Sequence, residues 1–129
     1  MRVLVVKAFA RFRRREGISD AMLCDAVARA ADGLIDADLG GGLIKQRVAR
    51  KGQGKSGGFR TLIAFRSGER AVFLYGFAKN EVGNVRPDQL AELKLYARGW
   101  LAMDDARVEL ALADGDLQEV ACDQATEEA

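Results

Sequence analysis

Basic side chains are concentrated in the middle of this sequence. The stretch between Asp38 and Glu69 contains seven lysines and arginines and no acidic residue. Side chains of one charge repel each other unless an anion lies nearby. The stretch therefore predicts a surface that binds a polyanion, with guanidinium groups suited to gripping phosphate through paired hydrogen bonds. The seven residues are Lys45, Arg47, Arg50, Lys51, Lys55, Arg60 and Arg66.

The chain contains no histidine, the side chain most often used as a general base and as a metal ligand. Proton transfer would therefore depend on Lys, Arg, Tyr, Asp or Glu. The two cysteines, Cys24 and Cys122, are too few and too far apart to build a zinc site. We expect free thiols, with a disulfide as the alternative under oxidising conditions. We predict neither a metal nor a small-molecule cofactor.

The segment Gly54-Lys55-Ser56 is similar to the end of a phosphate-binding P-loop. A P-loop also requires a glycine five residues before Gly54 and a helix that begins at the Lys-Ser pair. Position 49 is alanine, and a Gly-Gly pair and a predicted strand follow instead. The pattern argues against nucleotide hydrolysis, although such glycines still let backbone N–H groups approach a phosphate.

A predicted β-hairpin positions the basic residues. Residues 43–51 alternate with period two, which places Lys45, Arg47 and Lys51 on one face of a strand. A glycine-rich loop follows, and residues 59–66 form the return strand. The hairpin thus gathers basic side chains on one surface.

A third strand and several flanking elements complete the prediction. Residues 71–79 form the third strand, in which Phe73, Tyr75 and Phe77 are expected to share one face. The flanking elements are a strand at 3–6, helices at 8–16, from N-cap Ser19 to Gly33, from Pro87 and at 104–113, and an edge strand at 117–121.

Length and composition indicate one soluble domain. The chain has 129 residues, of which 49% are hydrophobic and 30% charged, which is typical of a globular protein. No apolar run is long enough for a membrane span, and the apolar start is too short for a secretory signal. We expect a cytoplasmic protein with a single domain over 1–129. Its parts are an N-terminal strand and helices (1–39), a basic sheet core (40–80), C-terminal helices with an edge strand (87–121) and a frayed tail (122–129).

The charges are divided unequally along the chain. Residues 1–79 carry 16 basic and seven acidic residues, whereas the remainder carries four basic and 12 acidic residues. The acidic part is interpreted as a solvated surface, with folding back over the basic face as the alternative.

Three segments carry a combined signature: residues 41–49 (GGLIKQRVA), 51–60 (KGQGKSGGFR) and 73–81 (FLYGFAKNE). Together they resemble the RelE/HigB toxins of bacterial type II toxin–antitoxin systems, closest to the HigB-like branch. The resemblance implies an α+β fold, with a small twisted antiparallel sheet, N-terminal helices packed on it and a C-terminal helical extension. It also implies a metal-independent mRNA endoribonuclease that acts on the ribosome and inhibits translation. The implied partners are mRNA, the ribosome and an antitoxin of the helix-turn-helix type.

The resemblance also implies roles for individual residues. Arg60 matches the strand arginine that contacts the scissile phosphate, while Lys45 and Arg47 fall near the basic pair of the preceding strand. Lys79 matches a basic residue at the end of the following strand. One of the clustered lysines is a candidate general base or acid, and Glu81, the nearby carboxylate in the sequence, is the alternative base. Residues expected to bind RNA are Arg50, Lys51, Lys55, Tyr75 and Phe77, the last two by stacking on bases.

This sequence departs from the family pattern at two positions. Well-characterised sites have an arginine where this chain has Asn80 and a tyrosine near Val85, and some use histidine. The fold is therefore predicted more firmly than the catalytic roles. Alternatives are a gyrase-targeting toxin of the same fold, like ParE, a non-catalytic nucleic-acid-binding or antitoxin-binding domain, and a toxin that has lost its activity.

Overall fold

The computed structural model describes residues 1–50, 54–78 and 85–122, without the side chains of Arg50 and of residues 54–57. Its helices are α1 (Lys7–Glu16), α2 (Asp20–Ala31), α3 (Pro87–Ala102) and α4 (Asp105–Asp114). Its strands are β1 (Arg2–Val6), β2 (Ala37–Gly40), β3 (Leu43–Arg50), β4 (Gly54–Arg66), β5 (Arg70–Ala78) and β6 (Leu117–Glu119).

The six strands form one sheet in the order β2-β3-β4-β5-β1-β6. The predicted α+β class is confirmed, and the hairpin of β3 and β4 lies near the middle of the sheet. One pair differs from the expected antiparallel arrangement, because β1 runs parallel to β5. The strand β2 was not predicted. The parallel pair joins segments that are far apart in the chain, whereas β2 pairs with the next strand, β3, across a turn at Gly41 and Gly42.

Local signals explain where the N-terminal helices begin and end. Gly17, which follows α1, has a φ of 71°, a left-handed conformation that glycine adopts without a steric penalty. Ser19 precedes α2, and its side chain accepts a hydrogen bond from the backbone N–H of Met22. This bond satisfies one of the free donors at the start of the helix, as predicted for an N-cap serine.

Each face of the sheet has its own apolar core. On one face, α1 and α2 pack against a cluster that includes Phe9, Phe59 and Phe73. On the other face, α3 and α4 pack against a cluster that includes Leu62 and Leu101. The C-terminal helices therefore cover part of the sheet face opposite the N-terminal helices.

A β-bulge in β5 corrects one prediction. Leu62 faces Tyr75, but the next residue, Ile63, faces Phe73, so that Leu74 is an extra residue in β5. An extra residue reverses the alternation of side chains beyond it. Phe73 consequently packs in the core with α1, and the prediction that it shares a face with Tyr75 and Phe77 was wrong.

Two arginines near the β4–β5 turn stabilise the end of α3. Arg66 donates to the backbone carbonyl of Leu101, and Arg70 donates to those of Trp100 and Met103. The last carbonyls of a helix lack intrahelical partners, and cations are favourable there. The charges of Arg66 and Arg70 therefore stabilise the fold. The polyanion-binding surface predicted from the sequence does not need them.

The two cysteines are joined as a disulfide, so the expectation of free thiols was wrong. The bond links α2 to the segment that follows β6. Next to it, the backbone N–H of Ala121 donates to Asp20. Among the described residues, no helix is long and apolar enough to cross a membrane.

Acidic residues of the C-terminal part pair with Arg2 at the end of β1. Arg2 contacts Glu109 at 2.9 Å and Glu119 at 2.8 Å. The hydrogen bonds from Arg2 favour the charged carboxylate and lower the pKa of Glu119 below its ordinary value. Glu109 and Glu119 are thus paired with a cation on β1.

We predict that Glu119→Gln lowers the free energy of unfolding at pH 7 and that this loss is smaller at pH 3. A carboxylate with a lowered pKa stabilises the fold above its unfolded-state pKa of about 4.3, and this contribution disappears as pH falls through the folded-state value. Because both side chains of the pair are partly exposed, the difference at pH 7 should stay below about 1 kcal/mol. Urea unfolding of both proteins at the two pH values measures it. An equal difference at both values would contradict the assignment.

Candidate functional site

The register of the central strands gathers basic and aromatic side chains on one surface. Arg47 on β3 lies directly opposite Arg60 on β4, and Phe77 on β5 lies opposite Arg60 on its other side. In the next row, Leu62 lies between Lys45 and Tyr75. Paired residues of neighbouring strands point to the same face of a sheet. We call the surface formed by Lys45, Arg47, Arg60, Tyr75 and Phe77 the basic face.

The basic face lies on the side of the sheet that carries α3. This helix packs at the far end of the hairpin, where Leu101 belongs to one apolar cluster with Leu43, Leu62 and Ala64. The basic residues come from the other end of the same strands. This side of the sheet is therefore covered by a helix at one end and carries the basic face at the other.

The Arg60 side chain is mostly buried, and part of its hydrogen-bonding capacity is unused. Its side chain is 22% exposed, and its Nε lies 3.7 Å from an Oδ2 of Asp36, a distance too long for a hydrogen bond. Its Nη1 is buried and has no hydrogen-bond partner among the described residues. A buried donor without a partner costs about 1–3 kcal/mol. A phosphate oxygen is the kind of acceptor that would remove this cost.

Gly58 makes room for Arg47 on the basic face. A Cβ at Gly58 would lie 3.2 Å from both Cγ and Nη1 of Arg47 and 2.7 Å from the backbone oxygen of Val48. Only glycine fits here without displacing β3. The backbone oxygen of Arg47 also accepts a hydrogen bond from Arg29 of α2, which fixes this part of the strand.

The two aromatic residues of the basic face lie against each other. The ring centroids of Tyr75 and Phe77 are 5.9 Å apart. Tyr75 is 41% exposed and Phe77 is 7% exposed. Tyr75 is the ring of the pair that offers a large accessible surface on which a nucleobase can stack.

A cleft of about 330 Å³ adjoins these rings at the edge of β5. Besides Tyr75 and Phe77, its lining includes Arg11 and Arg15 of α1. The guanidinium of Arg15 also lies over the ring of Phe12 at 5.8 Å. Positive charge therefore extends from the basic face around the edge of the sheet.

The structure brings a carboxylate to Arg60 that the sequence analysis did not identify. Asp36 precedes β2, and its backbone N–H donates to the side chain of Gln46. Gln46 is fully buried and also donates to the backbone oxygens of Ala26 and Leu34. The sequence feature that could have indicated this contact is Gln46 itself, a glutamine on the apolar face of β3. A buried amide must find hydrogen-bond partners.

Not every predicted site residue can be placed. Lys45, Arg47, Arg60, Tyr75 and Phe77 share the basic face, as described above. The backbones of Arg50 and Lys55 belong to β3 and β4, but their side chains are outside the described part of the chain. Lys51, Lys79 and Glu81 lie outside the described residues altogether.

The arrangement suits chemistry on a phosphodiester. Cationic groups on adjacent strands can bind a phosphate and stabilise the negative charge that develops on it. One accessible ring can hold a neighbouring base, and one carboxylate can exchange a proton.

The chain was compared with models of known protein families. The family model described as the RelE toxin of the RelE/RelB toxin–antitoxin system matches residues 1–120. The matched range includes every described residue of the basic face.

Proposed function

The chain belongs to the RelE toxin family, and from this premise we propose that it is an endoribonuclease that cleaves mRNA on the ribosome without a metal ion. Membership makes it a toxin of a toxin–antitoxin system with an antitoxin as its partner. RNA cleavage, the ribosome requirement and the HigB-like branch are parts of the proposal. So are a cytoplasmic location and an antitoxin of the helix-turn-helix type.

The observation that carries the proposal is the meeting of Arg47 and Arg60 as direct partners on one sheet face, with Lys45 in the next row. A polyanion is the ligand that most lowers the free energy of such a cluster. The adjacent Tyr75, which is 41% exposed, favours an anion with unstacked bases. Single-stranded RNA has both properties.

RNA supplies its own nucleophile, the 2′-hydroxyl group. Cleavage requires that this group be aligned with the phosphorus atom and lose its proton, and that the leaving 5′ oxygen gain one. In the proposed mechanism Arg60 grips the phosphate and stabilises the extra charge of the transition state. Lys45 and Arg47 add positive charge around it. The products are a 2′,3′-cyclic phosphate and a 5′-hydroxyl end.

A translating bacterial extract tests this function. We expect the purified protein to cut a reporter mRNA within its coding region, and primer extension should map the new 5′ ends. The same mRNA with initiation blocked should remain uncut, which tests the ribosome requirement. Intact mRNA together with DNA breaks in the presence of gyrase would support the ParE-like alternative. Intact mRNA with salt-sensitive RNA binding would support a non-catalytic domain.

A further inference from the structure

We infer that Asp36 is the general base that removes the proton from the 2′-hydroxyl group of the RNA. The inference rests on the proposed function and deepens it, because the sequence pointed only to Glu81 or a lysine for this role. It starts from the 3.7 Å separation between Asp36 Oδ2 and Arg60 Nε. With no histidine in the chain, a carboxylate beside the phosphate-binding arginine is a chemically suitable base.

The distance leaves the carboxylate available for proton transfer. At 3.7 Å, the two groups attract each other without a hydrogen bond that would occupy the oxygen. The side chain of Asp36 is 36% exposed, so a substrate can reach it. A phosphate bound by the accessible part of the Arg60 guanidinium would lie next to this carboxylate. The 2′-hydroxyl group is joined to the ribose carbon adjacent to the one that carries the phosphate, so it would lie within the same region.

Asp36 owes its position to a network in the interior of the protein. The backbone N–H of Asp36 lies 3.3 Å from Oε1 of Gln46. The Nε2 of Gln46 donates at 2.9 Å to the oxygen of Ala26 and at 3.0 Å to that of Leu34. One buried side chain thus joins α2, β3 and the segment leading into β2. Catalysis requires a reactive group that neighbouring residues hold in a fixed position, and the hydrogen bonds of Gln46 provide such support for Asp36.

The reaction balances with Asp36 as the base. The carboxylate takes the proton as O2′ forms a bond to phosphorus, and the bond between phosphorus and O5′ breaks. Solvent water protonates the leaving O5′. Asp36 then returns its proton to the hydroxide ion that this produces. Arg60 keeps its charge throughout and stabilises the phosphorane.

The decisive variant is Asp36→Asn, which preserves shape but cannot accept a proton. In single-turnover cleavage we expect the rate to fall by about 100- to 1,000-fold, in the range that general bases contribute. Affinity for an uncleavable RNA with a 2′-deoxy substitution should stay the same or increase, because one negative charge is removed.

Two further variants separate the chemistry from structural effects. Asp38→Asn makes the same change in charge two residues away and keeps the acceptor for the backbone N–H of Gly40, so it should cleave like the wild type. Asp36→Glu retains a carboxylate and should be at least tenfold faster than Asp36→Asn.

Each outcome decides the question. Cleavage by Asp36→Asn at the wild-type rate, with Arg60→Ala inactive, overturns the base assignment and leaves the proposed function standing. A loss confined to Glu81→Gln overturns it in favour of Glu81. A loss of RNA affinity equal to the loss of rate in Asp36→Asn shows a structural role and also overturns it. No cleavage by the wild type overturns the function and this inference together.

Discussion

Arg60→Ala should reduce RNA cleavage by about 100-fold or more while leaving the fold intact. In the proposed mechanism its guanidinium stabilises charge that develops only in the transition state, and removing one such donor typically costs this much in rate. The effect on stability should be small. The partly exposed pair with Asp36 contributes little, and the substitution also removes the buried Nη1 that has no partner among the described residues.

Single-turnover cleavage in the translating extract measures the loss. Arg60→Lys keeps the positive charge but loses the planar guanidinium that can donate two parallel hydrogen bonds to a phosphate. Its cleavage rate should therefore lie between those of the wild type and Arg60→Ala. Arg66→Ala is the matched control, since it removes the same charge from the same strand. Arg66 donates a hydrogen bond to the end of α3 and is not part of the basic face. The Arg66→Ala variant should cleave within threefold of the wild-type rate. Growth arrest by Arg60→Ala equal to that by the wild type would count against the site.

Gly76→Ala should lower the free energy of unfolding by about 1–3 kcal/mol, the usual cost of overfilling a packed core. A Cβ at this position would lie 2.5 Å and 2.8 Å from ring atoms of Phe12 and 3.0 Å from one of Phe9. Both rings belong to the core beneath α1, so neither can move aside cheaply. The helix must shift, and the neighbouring Tyr75 and Phe77 shift with β5.

Gly99→Ala is the matched control for this prediction. The chemical change is the same, but a Cβ at Gly99 meets nothing within 4 Å. Gly99 lies inside α3, where alanine is favoured over glycine by about 1 kcal/mol. Urea unfolding should therefore show opposite signs for the two variants. Destabilisation by both, or by neither, would show that the contact between Gly76 and Phe12 does not limit the packing of α1.

Most helices and strands could be predicted because their signals are local. Ser19 before α2, Gly17 after α1 and Pro87 at the start of α3 each act on the backbone within one turn. The alternation in β3 is equally local, and it placed Lys45 and Arg47 on one face correctly. Such patterns depend on residues a few positions apart, which a sequence displays directly.

The predictions that failed depended on contacts between one segment of the chain and another. A bulge in β5 is decided by how that strand fits β4, and it moved Phe73 into the core of α1. The parallel pairing of β1 with β5 and the disulfide between Cys24 and Cys122 likewise join residues far apart in the chain. No periodicity within either partner indicates these pairings.

The same distinction between local and tertiary information applies to the candidate site. The sequence by itself determined that a hairpin would present Lys45, Arg47 and Arg60 together. The charges and the alternation of side chains along each strand depend only on consecutive residues. Only the tertiary structure decided that Asp36 lies beside Arg60. The physical reason is that a carboxylate reaches a guanidinium through the packing of α2 on the sheet, which the buried Gln46 holds in place.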